Sequence, residues 1–573
     1  LLLTDIFILL KRLAIYSIDN IYTDKLINTL FKALKNNIEY YNIKELMEDL
    51  RHIIHDPMKV CIWCEENLIS QDIKRMNNGE VCTPLHVIQD MFKPYEKDLI
   101  DSIDFSEHIT YKTKILDIGA GRGNGGAYIY HMLFNHKNII QKFPDEEDRR
   151  KHILNNMIYM SEYDPSNVMI LKNMFGPQNI YSGDSIGRKP TKIDTDGKEV
   201  IQGIKTLEEP KEFDLYKKLK LEFDIIFMNP PYQKQNTKDP GKFNGGPFWP
   251  HFVRLALELL KPEGLLFAIH PANWRKYSSE RSIFDIHWIL EHTLLYLNTS
   301  NKEDKFEGKT MKAVDHYILQ KKPNTGQIKT IIESEYNDLH YSGSFVIPPT
   351  TSVIPKFLND ISFQLLQKLT NSEKCFRLNM RRNGPGNNID KHNLRYKMVG
   401  NKKVHLNEPS EEYQYKVLGQ YNKGGPSYNY TSIDDDNRTK EKLICGCKIN
   451  LSDFKDSIII DPGETIPGNE IHHILKEESE ESLEYIQLLM KSILFEFILK
   501  MTCFSRTHQG QDQIEYIYLN TLFFPRKEYI DTDNINESLY TFYGFTFEEI
   551  LLVNTILNDK EELLNNYSAK ELK

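Results

Sequence analysis

Residues 224–232 read Asp-Ile-Ile-Phe-Met-Asn-Pro-Pro-Tyr. An apolar run delivers an amide, two residues that lack an N–H and an aromatic ring to one place. Asn229 offers a side-chain carbonyl. Pro230 offers a backbone carbonyl with no N–H of its own, and the Pro230-Pro231 pair stiffens the turn. Two acceptors held this close suit a group with two N–H donors, that is, an exocyclic amine. On an adenine ring such a nitrogen is a poor nucleophile, because its lone pair is delocalised. Accepting both hydrogens draws the nitrogen towards tetrahedral geometry and localises the pair for attack on an electrophilic carbon. The protein's share of such a reaction is positioning and fixed dipoles, with no metal ion required. Tyr232 adds a π-face on which a base stacks, worth about 1–3 kcal/mol.

A second cluster, Asp117-Ile-Gly-Ala-Gly-Arg-Gly123, lies between an apolar run and a helical pattern. Glycines there let the chain turn sharply and approach a ligand closely. A dinucleotide fingerprint needs G-x-G-x-x-G, with pyrophosphate at the helix N-terminus. Here Gly119, Gly121 and Gly123 are spaced more tightly and an acid precedes them. Asp117 repels a pyrophosphate and attracts an ammonium. That points to S-adenosylmethionine, whose amino-acid end carries a positive charge. Further acids follow at the ends of later runs. Ser161-Glu-Tyr-Asp-Pro165 stands where nucleoside-binding α/β folds grip a ribose diol. Glu162 is the first choice. Asp164 is the alternative, though with Pro165 it also reads as a helix start. Asp184 ends the third run, placed to accept from an adenine amino group. Upstream, Thr83 reads as a helix N-cap with Pro84 at N1. The same helix start can present Thr83 to the carboxylate of a methionine moiety.

A base stacked in a duplex is out of reach, so the target must be swung out of the helix. A flipped base needs a second wall. Phe306, in Lys305-Phe-Glu-Gly-Lys-Thr310, stands between two late apolar runs where it can supply one.

Seven apolar runs must position these residues: 114–119, 157–164, 179–184, 223–231, 264–271, 293–298 and 313–320. They alternate with helical stretches, one of them at 248–261 and closed by Lys261-Pro-Glu-Gly264. The alternation predicts an α/β fold with a parallel, doubly wound, Rossmann-like sheet, in which ligands sit beyond the carboxyl ends of the strands. Residues 185–222 interrupt it with charged, Pro- and Gly-containing sequence and read as an inserted loop or hairpin around Asp196-Gly197. Residues 1–75 show apolar positions at helical spacing. Beyond 325 the alternation is lost, and strand-like pieces, Asn/Gly-rich loops and a long helical run at 478–502 follow. The expected organisation is a helical segment (1–75), a catalytic domain (76–325) and an α+β domain (326–573).

At 573 residues the chain is too long for one core, and about three domains are expected. A net charge of −9 excludes a global basic field but not a local basic face. Seven scattered cysteines suit a reducing compartment better than a disulfide framework. Cys61-x-x-Cys64 and Cys445-x-Cys447 lack a second pair at zinc-finger spacing, so no metal site is expected. The opening LLLTDIFILL is far shorter than the roughly 20 residues of a membrane span. Lys11 and Arg12 follow it instead of preceding it, unlike a signal peptide. A monomeric protein of the bacterial or virus-infected host cytoplasm, away from membranes, is expected.

Taken in order, Cys82-Thr83-Pro84, DIGAGRG (117–123), SEYDP (161–165), SGD (182–184), NPPY (229–232), GLLFAIHPANW (264–274) and KFEGKT (305–310) resemble the motifs of gamma-type DNA adenine-N6 methyltransferases of restriction–modification systems. The likeness covers roughly 76–325. It continues more weakly to GFTFEEI (544–550), which resembles the closing helix of several such enzymes. The resemblance implies double-stranded DNA as substrate, a C-terminal target-recognition domain and a restriction subunit as partner. It implies that Asn229, Pro230 and Tyr232 bind the flipped adenine, with Phe306 on its other side. It also implies that Thr83, Asp117, Gly119, Gly121, Glu162 and Asp184 contact the cofactor. The 185–222 insertion makes the Asp184–Asn229 interval longer than is usual in the family, and Cys82 stands where an aromatic is commoner. Rival readings are a methyltransferase fused to a restriction endonuclease, RNA adenine methylation, and methylation of a protein glutamine. Glutamine methyltransferases share NPPY but lack a large domain after it. For the fused nuclease, 1–75 holds no PD…ExK cluster.

The reader of DNA sequence is expected within 326–573. Arg377, Arg381, Arg382, Lys391, Arg395, Lys397, Lys402 and Lys403 form a basic stretch interleaved with Phe376 and Tyr396, a composition suited to phosphate and base-edge contacts. Arg506, His508, Gln509 and Gln511 form a second polar group.

Overall fold

The computed structural model describes Met58, Ile62 and residues 83–557 except 184, 186–189, 194–198, 202–220, 233–247, 277–285, 301–312, 372, 383–393, 400–401, 423–424, 447–450, 469–470, 507–511 and 515. The helical segment expected over 1–75, those two positions apart, lies outside the described residues. So do Asp184, the Asp196-Gly197 turn, Phe306, Lys391 and the Cys61/Cys64 pair.

Each of the seven apolar runs contains a strand. They are β1 (Ile115–Ile118), β2 (Ile158–Glu162), β3 (Ile180–Ser182), β4 (Phe223–Met228), β5 (Leu260–Pro271), β6 (His292–Asn298) and β7 (Val314–Pro323). A hairpin, β8 (Lys329–Tyr336) and β9 (Leu339–Val346), completes one sheet of order β3-β2-β1-β4-β5-β7-β6-β8-β9. Strands β1 to β5 run parallel. β7 runs antiparallel between β5 and β6, so the sheet is mixed where the alternation predicted parallel strands throughout. Residues 299–313 carry no apolar stripe at helical spacing, and β7 runs back beside β6 in the opposite direction, a pairing that does not require a crossover helix.

Helices cover both faces. Ile225 and Phe227 of β4 and Phe267 of β5 pack with α1 (Leu85–Glu96) and α2 (Asn124–Phe134). The intervening Ile226, Met228 and Leu266 pack with α4 (Trp249–Leu259), while α3 (Pro165–Phe175) follows β2. Phe92 of α1 stacks on Phe267 at 4.3 Å between ring centroids. Burial on both faces is why these strands read as unbroken apolar runs.

Several boundaries differ from expectation. The sheet does not stop at 325, because β8 pairs in parallel with β6 and β9 pairs with β8. α4 ends at Leu259 and β5 starts at Leu260, ahead of the Pro-Glu-Gly turn. Within 185–222 the hairpin reading holds, since residues 190–193 pair antiparallel with 199–201. The helical run at 478–502 is two helices, α6 (Leu483–Met490) and α7 (Ile493–Thr502). Ser492 leaves helical geometry between them and caps α7 by accepting from Phe495 N at 3.2 Å.

A separate apolar core gathers α5 (Asp360–Lys368), α6, α7 and parts of the C-terminal strands. Buried polar contacts join it to the end of β5. Arg275 and Asp315 form an ion pair at 2.9 Å with neither side chain exposed, and Trp274 Nε1 donates to the same carboxylate at 3.0 Å. The Arg275 guanidinium lies 4.5 Å from the Phe504 ring centre. Lys276 Nζ donates to Thr502 O at 3.1 Å, and Lys356 N to Met501 O at 2.7 Å. The end of α7 is thus tied to the strand ends where the chemical residues gather. Replacing Asp315 with Leu strands a buried charge on Arg275, and is expected to cost about 3–5 kcal/mol. Adding Arg275→Met should recover part of that loss. Urea midpoints test this, and a double variant less stable than Asp315→Leu would contradict it.

Candidate active site

β1 ends in the turn 119–123. Gly119, Gly121 and Gly123 have φ of +70°, +55° and +97°, a region that residues with a Cβ rarely adopt. A Cβ on Gly119 or Gly121 would meet nothing within 4 Å, so backbone conformation, not space, demands glycine there. Crowding decides Gly125: a Cβ would stand 2.5 Å from Asp117 Oδ2 and 2.5 Å from the Phe227 ring. Gly119 N and Ala120 N both donate to Ser161 O at 3.0 Å, which ties the turn to the end of β2.

Glu162 closes that end. One carboxylate oxygen accepts from Gly121 N at 2.8 Å. The other accepts from Tyr163 N at 2.9 Å and Asp164 N at 2.8 Å. Asp164 Oδ1 accepts from Asn167 N at 3.4 Å and so starts α3, the second role its sequence context offered.

Asp117 is 2% exposed, and its Oδ2 has no hydrogen-bond partner among the described residues. Burial raises its carboxyl to about 8. The neighbouring Glu162 carboxylate adds to the rise and the Gly126 N–H opposes it. A buried acid with an unfilled acceptor favours a cation beside it.

α1 begins at Leu85 with Pro84 as its N-cap and no side-chain cap. Thr83 is therefore not the N-cap, contrary to expectation: Pro84 itself stays extended and its carbonyl accepts from Ile88 N at 3.2 Å. Thr83 Oγ1 accepts from Asn229 Nδ2 at 2.8 Å, and Thr83 O accepts from Asn124 Nδ2 at 3.0 Å. Thr83, Asp117, Gly119, Gly121 and Asn229 line one cleft beyond the carboxyl ends of β1 and β4. Arg122 and Asn124 line it too. Sequence reasoning passed over both, although a polar residue directly after a glycine turn was a signal. Tyr163, 54% exposed beside Glu162, was also missed.

Asn229, Pro230, Pro231 and Tyr232 follow β4 directly. Pro230 is buried and Tyr232 is half-buried against the α4 side of the sheet. The Tyr232 hydroxyl is enclosed with no hydrogen-bond partner among the described residues, and burial pushes its phenol far above the ordinary value. Phe248 N donates to Tyr232 O at 2.9 Å and pins the turn to the start of α4.

The basic residues of the C-terminal part are distributed differently from the sequence expectation. Phe376 is 2% exposed and belongs to the C-terminal core. The Arg377 guanidinium lies 4.3 Å from the Phe523 ring centre. Arg381 pairs with Glu478 at 2.6 Å. Arg395 donates to the Glu408 and Pro409 carbonyls, the latter at 2.7 Å, and so closes its own loop. Arg382 pairs in register with His472, and Arg506 with Asp512 in a two-residue ladder. Lys397 lies in the hairpin formed by Tyr396–Val399 and Lys402–His405. Among the described residues no cluster of His, Cys, Asp and Glu is placed to hold a metal ion, and no helix is long and apolar enough to cross a membrane.

Asp117 makes stability depend on pH. Between its ordinary value and about 8 the folded chain holds a proton that the unfolded chain has released. Stability therefore falls as pH rises through this window, by up to about 1.4 kcal/mol per pH unit. Asp117→Asn lacks this dependence, so its melting temperature should fall less than the wild type's between pH 5 and 8. Parallel curves would contradict the burial argument.

No curated protein matches the sequence. Solved structures with some likeness include a modification subunit of a putative type I restriction enzyme from Vibrio vulnificus YJ016 (12% identity, 52% of this chain, 53% of that chain, TM-score 0.32). Two others were solved with DNA: the type ISP restriction-modification enzyme LlaBIII (12% identity, 80% of this chain, 39% of that chain, TM-score 0.43) and the type IIL enzyme MmeI (13% identity, 92% of this chain, 82% of that chain, TM-score 0.40). The chain spans about half the length of the first of these. Residues 147–306, which run from before β2 through the Asn-Pro-Pro-Tyr turn to Phe306, match the Eco57I restriction-modification methylase family.

Proposed function

We propose that the chain is a site-specific DNA adenine-N6 methyltransferase that uses S-adenosylmethionine. One observation carries the reading: the Asn229 amide is hydrogen-bonded within the same cleft that holds the buried Asp117 carboxyl with its unfilled oxygen. An acceptor for a neutral amine beside an acid suited to a cation fits transfer from a cationic donor to that amine. The match of residues 147–306 to restriction-modification methylases supports the same chemistry.

When bound, S-adenosylmethionine supplies an electrophilic methyl group on a sulfonium. Asp117 takes the ammonium end, Glu162 the ribose hydroxyls and Asp184 the adenine amine, with the Tyr163 ring beside them. Asn229 Oδ1 and the Pro230 carbonyl accept the two hydrogens of the target amine. Tyr232 and Phe306 enclose the flipped base. DNA is held by the C-terminal part. There the 396–405 hairpin, with Lys397, Lys402, Lys403 and an exposed Tyr396, has the two-stranded form that a major groove admits. Lys391, Arg382, Arg377 and Arg506 add phosphate contacts. Arg381 and Arg395, occupied within the chain, contribute less. A restriction activity, on a partner or on further sequence, is what such a modification protects against.

The test is transfer of labelled methyl from S-adenosylmethionine to unmethylated DNA, with RNA and release factor in parallel. The expected outcome is N6-methyladenine in DNA, reduced about 100-fold or more in Asn229→Ala, as for loss of one preorganised polar contact at a reacting group. Label in RNA, in protein or on cytosine would overturn the substrate.

A further inference from the structure

We infer that Thr83 is a positioning residue for the Asn229 amide, and that one hydroxyl thereby serves both the cofactor side and the substrate side of the cleft. The inference rests on the methyl-transfer reading above. The terminal torsion of an Asn side chain is broad and roughly two-fold. Nothing intrinsic decides whether its carbonyl or its NH2 faces the target. If the NH2 faced an exocyclic amine, donors would meet donors and the lone pair would stay delocalised. The correct orientation must be imposed from outside.

Thr83 imposes it. Its Oγ1 accepts from Asn229 Nδ2 at 2.8 Å across 146 residues of sequence; once its single hydroxyl proton is given to another acceptor it can only accept here, which commits the nitrogen to Thr83 and turns Oδ1 the other way. Thr83 is itself held firmly. It is 7% exposed, its carbonyl accepts from Asn124 Nδ2 at 3.0 Å, and Pro84 after it restricts its backbone. Its β-branched side chain is stiff at χ1.

A hydroxyl that accepts still has one proton to donate. Thr83 lines the same cleft as Asp117 and Gly121, so that proton is available to an anionic oxygen there, such as the carboxylate of an amino-acid end. Donation to an anion polarises the hydroxyl and strengthens its acceptance from Asn229. A filled cofactor site thus tightens the hold on the amide.

The test is a double-mutant cycle of Thr83→Val and Asn229→Ala, with Thr83→Ser as the conservative control. It reads kcat and KM for DNA, S-adenosylhomocysteine affinity by calorimetry, and the melting temperature of the free protein. Thr83→Val should lower kcat about tenfold, the scale of one ordinary hydrogen bond, with KM for DNA little changed. Thr83→Ser should restore it. In the Asn229→Ala background, Thr83→Val should lower neither kcat nor melting temperature further, while it still weakens S-adenosylhomocysteine binding. Losses that multiply in kcat and add in melting temperature would overturn the inference, as would failure of Thr83→Ser to rescue. A wild type that methylates nothing would instead overturn the functional reading, and the thermal cycle alone would then decide whether the lock exists.

Discussion

The carboxyl of Asp117 constrains everything around it. It is buried, it faces a second carboxylate, and one of its oxygens has no hydrogen-bond partner among the described residues. An ionised acid in that position is costly unless a positive charge joins it. The surroundings are arranged to leave that place open. Gly125 stands where any side chain would strike Oδ2, and Phe227 of the next strand forms the wall. Glu162 is turned towards backbone N–H groups of its own turn and of the glycine loop. The second acid is thereby committed to backbone N–H groups, while the first keeps an oxygen open towards the cleft.

The sheet makes this arrangement possible. β1, β2 and β4 are parallel neighbours in strict register, so their carboxyl ends open on one side. The glycine turn, Glu162 and Asn229 arrive there from three distant parts of the chain. Thr83 joins them from the start of α1, and α1 is anchored to the sheet by Phe92 on Phe267. On the far side, the Arg275–Asp315 pair and Lys276 couple the end of β5 to Thr502 and Phe504. The C-terminal core that contains α7 is therefore mechanically continuous with the sheet whose strand ends present the amide.

Much of this was legible in the sequence, and the failures have physical reasons. Strands buried on both faces appear as continuous apolar runs, so all seven were found. An apolar run reads the same in either direction, so the reversal of β7 was not. The positive-φ glycines announced themselves by their alternation, whereas the need for Gly125 arises from Asp117 and Phe227 on two separate strands. Thr83 before Pro84 looks like a cap from local sequence alone. Only the fold shows that Asn229 takes its hydroxyl. The basic stretch was visible as composition, yet Arg381 and Arg395 have partners within the chain and Phe376 lies in the C-terminal core. Density of charge does not reveal which charges are already satisfied.

In the methyl-transfer reading proposed above, Asn229 Oδ1 and the Pro230 carbonyl receive the amine of an extrahelical adenine next to the Asp117 cleft. The most direct measurement is a crystal structure of the full chain with a non-transferring cofactor analogue and duplex DNA bearing the methylated site. The expected result is an adenine swung out of the duplex, its N6 within hydrogen-bond distance of both acceptors, with the analogue's ammonium against Asp117. A cytosine in that position, or a filled cofactor cleft with every base still stacked and Asn229 touching none, would contradict it.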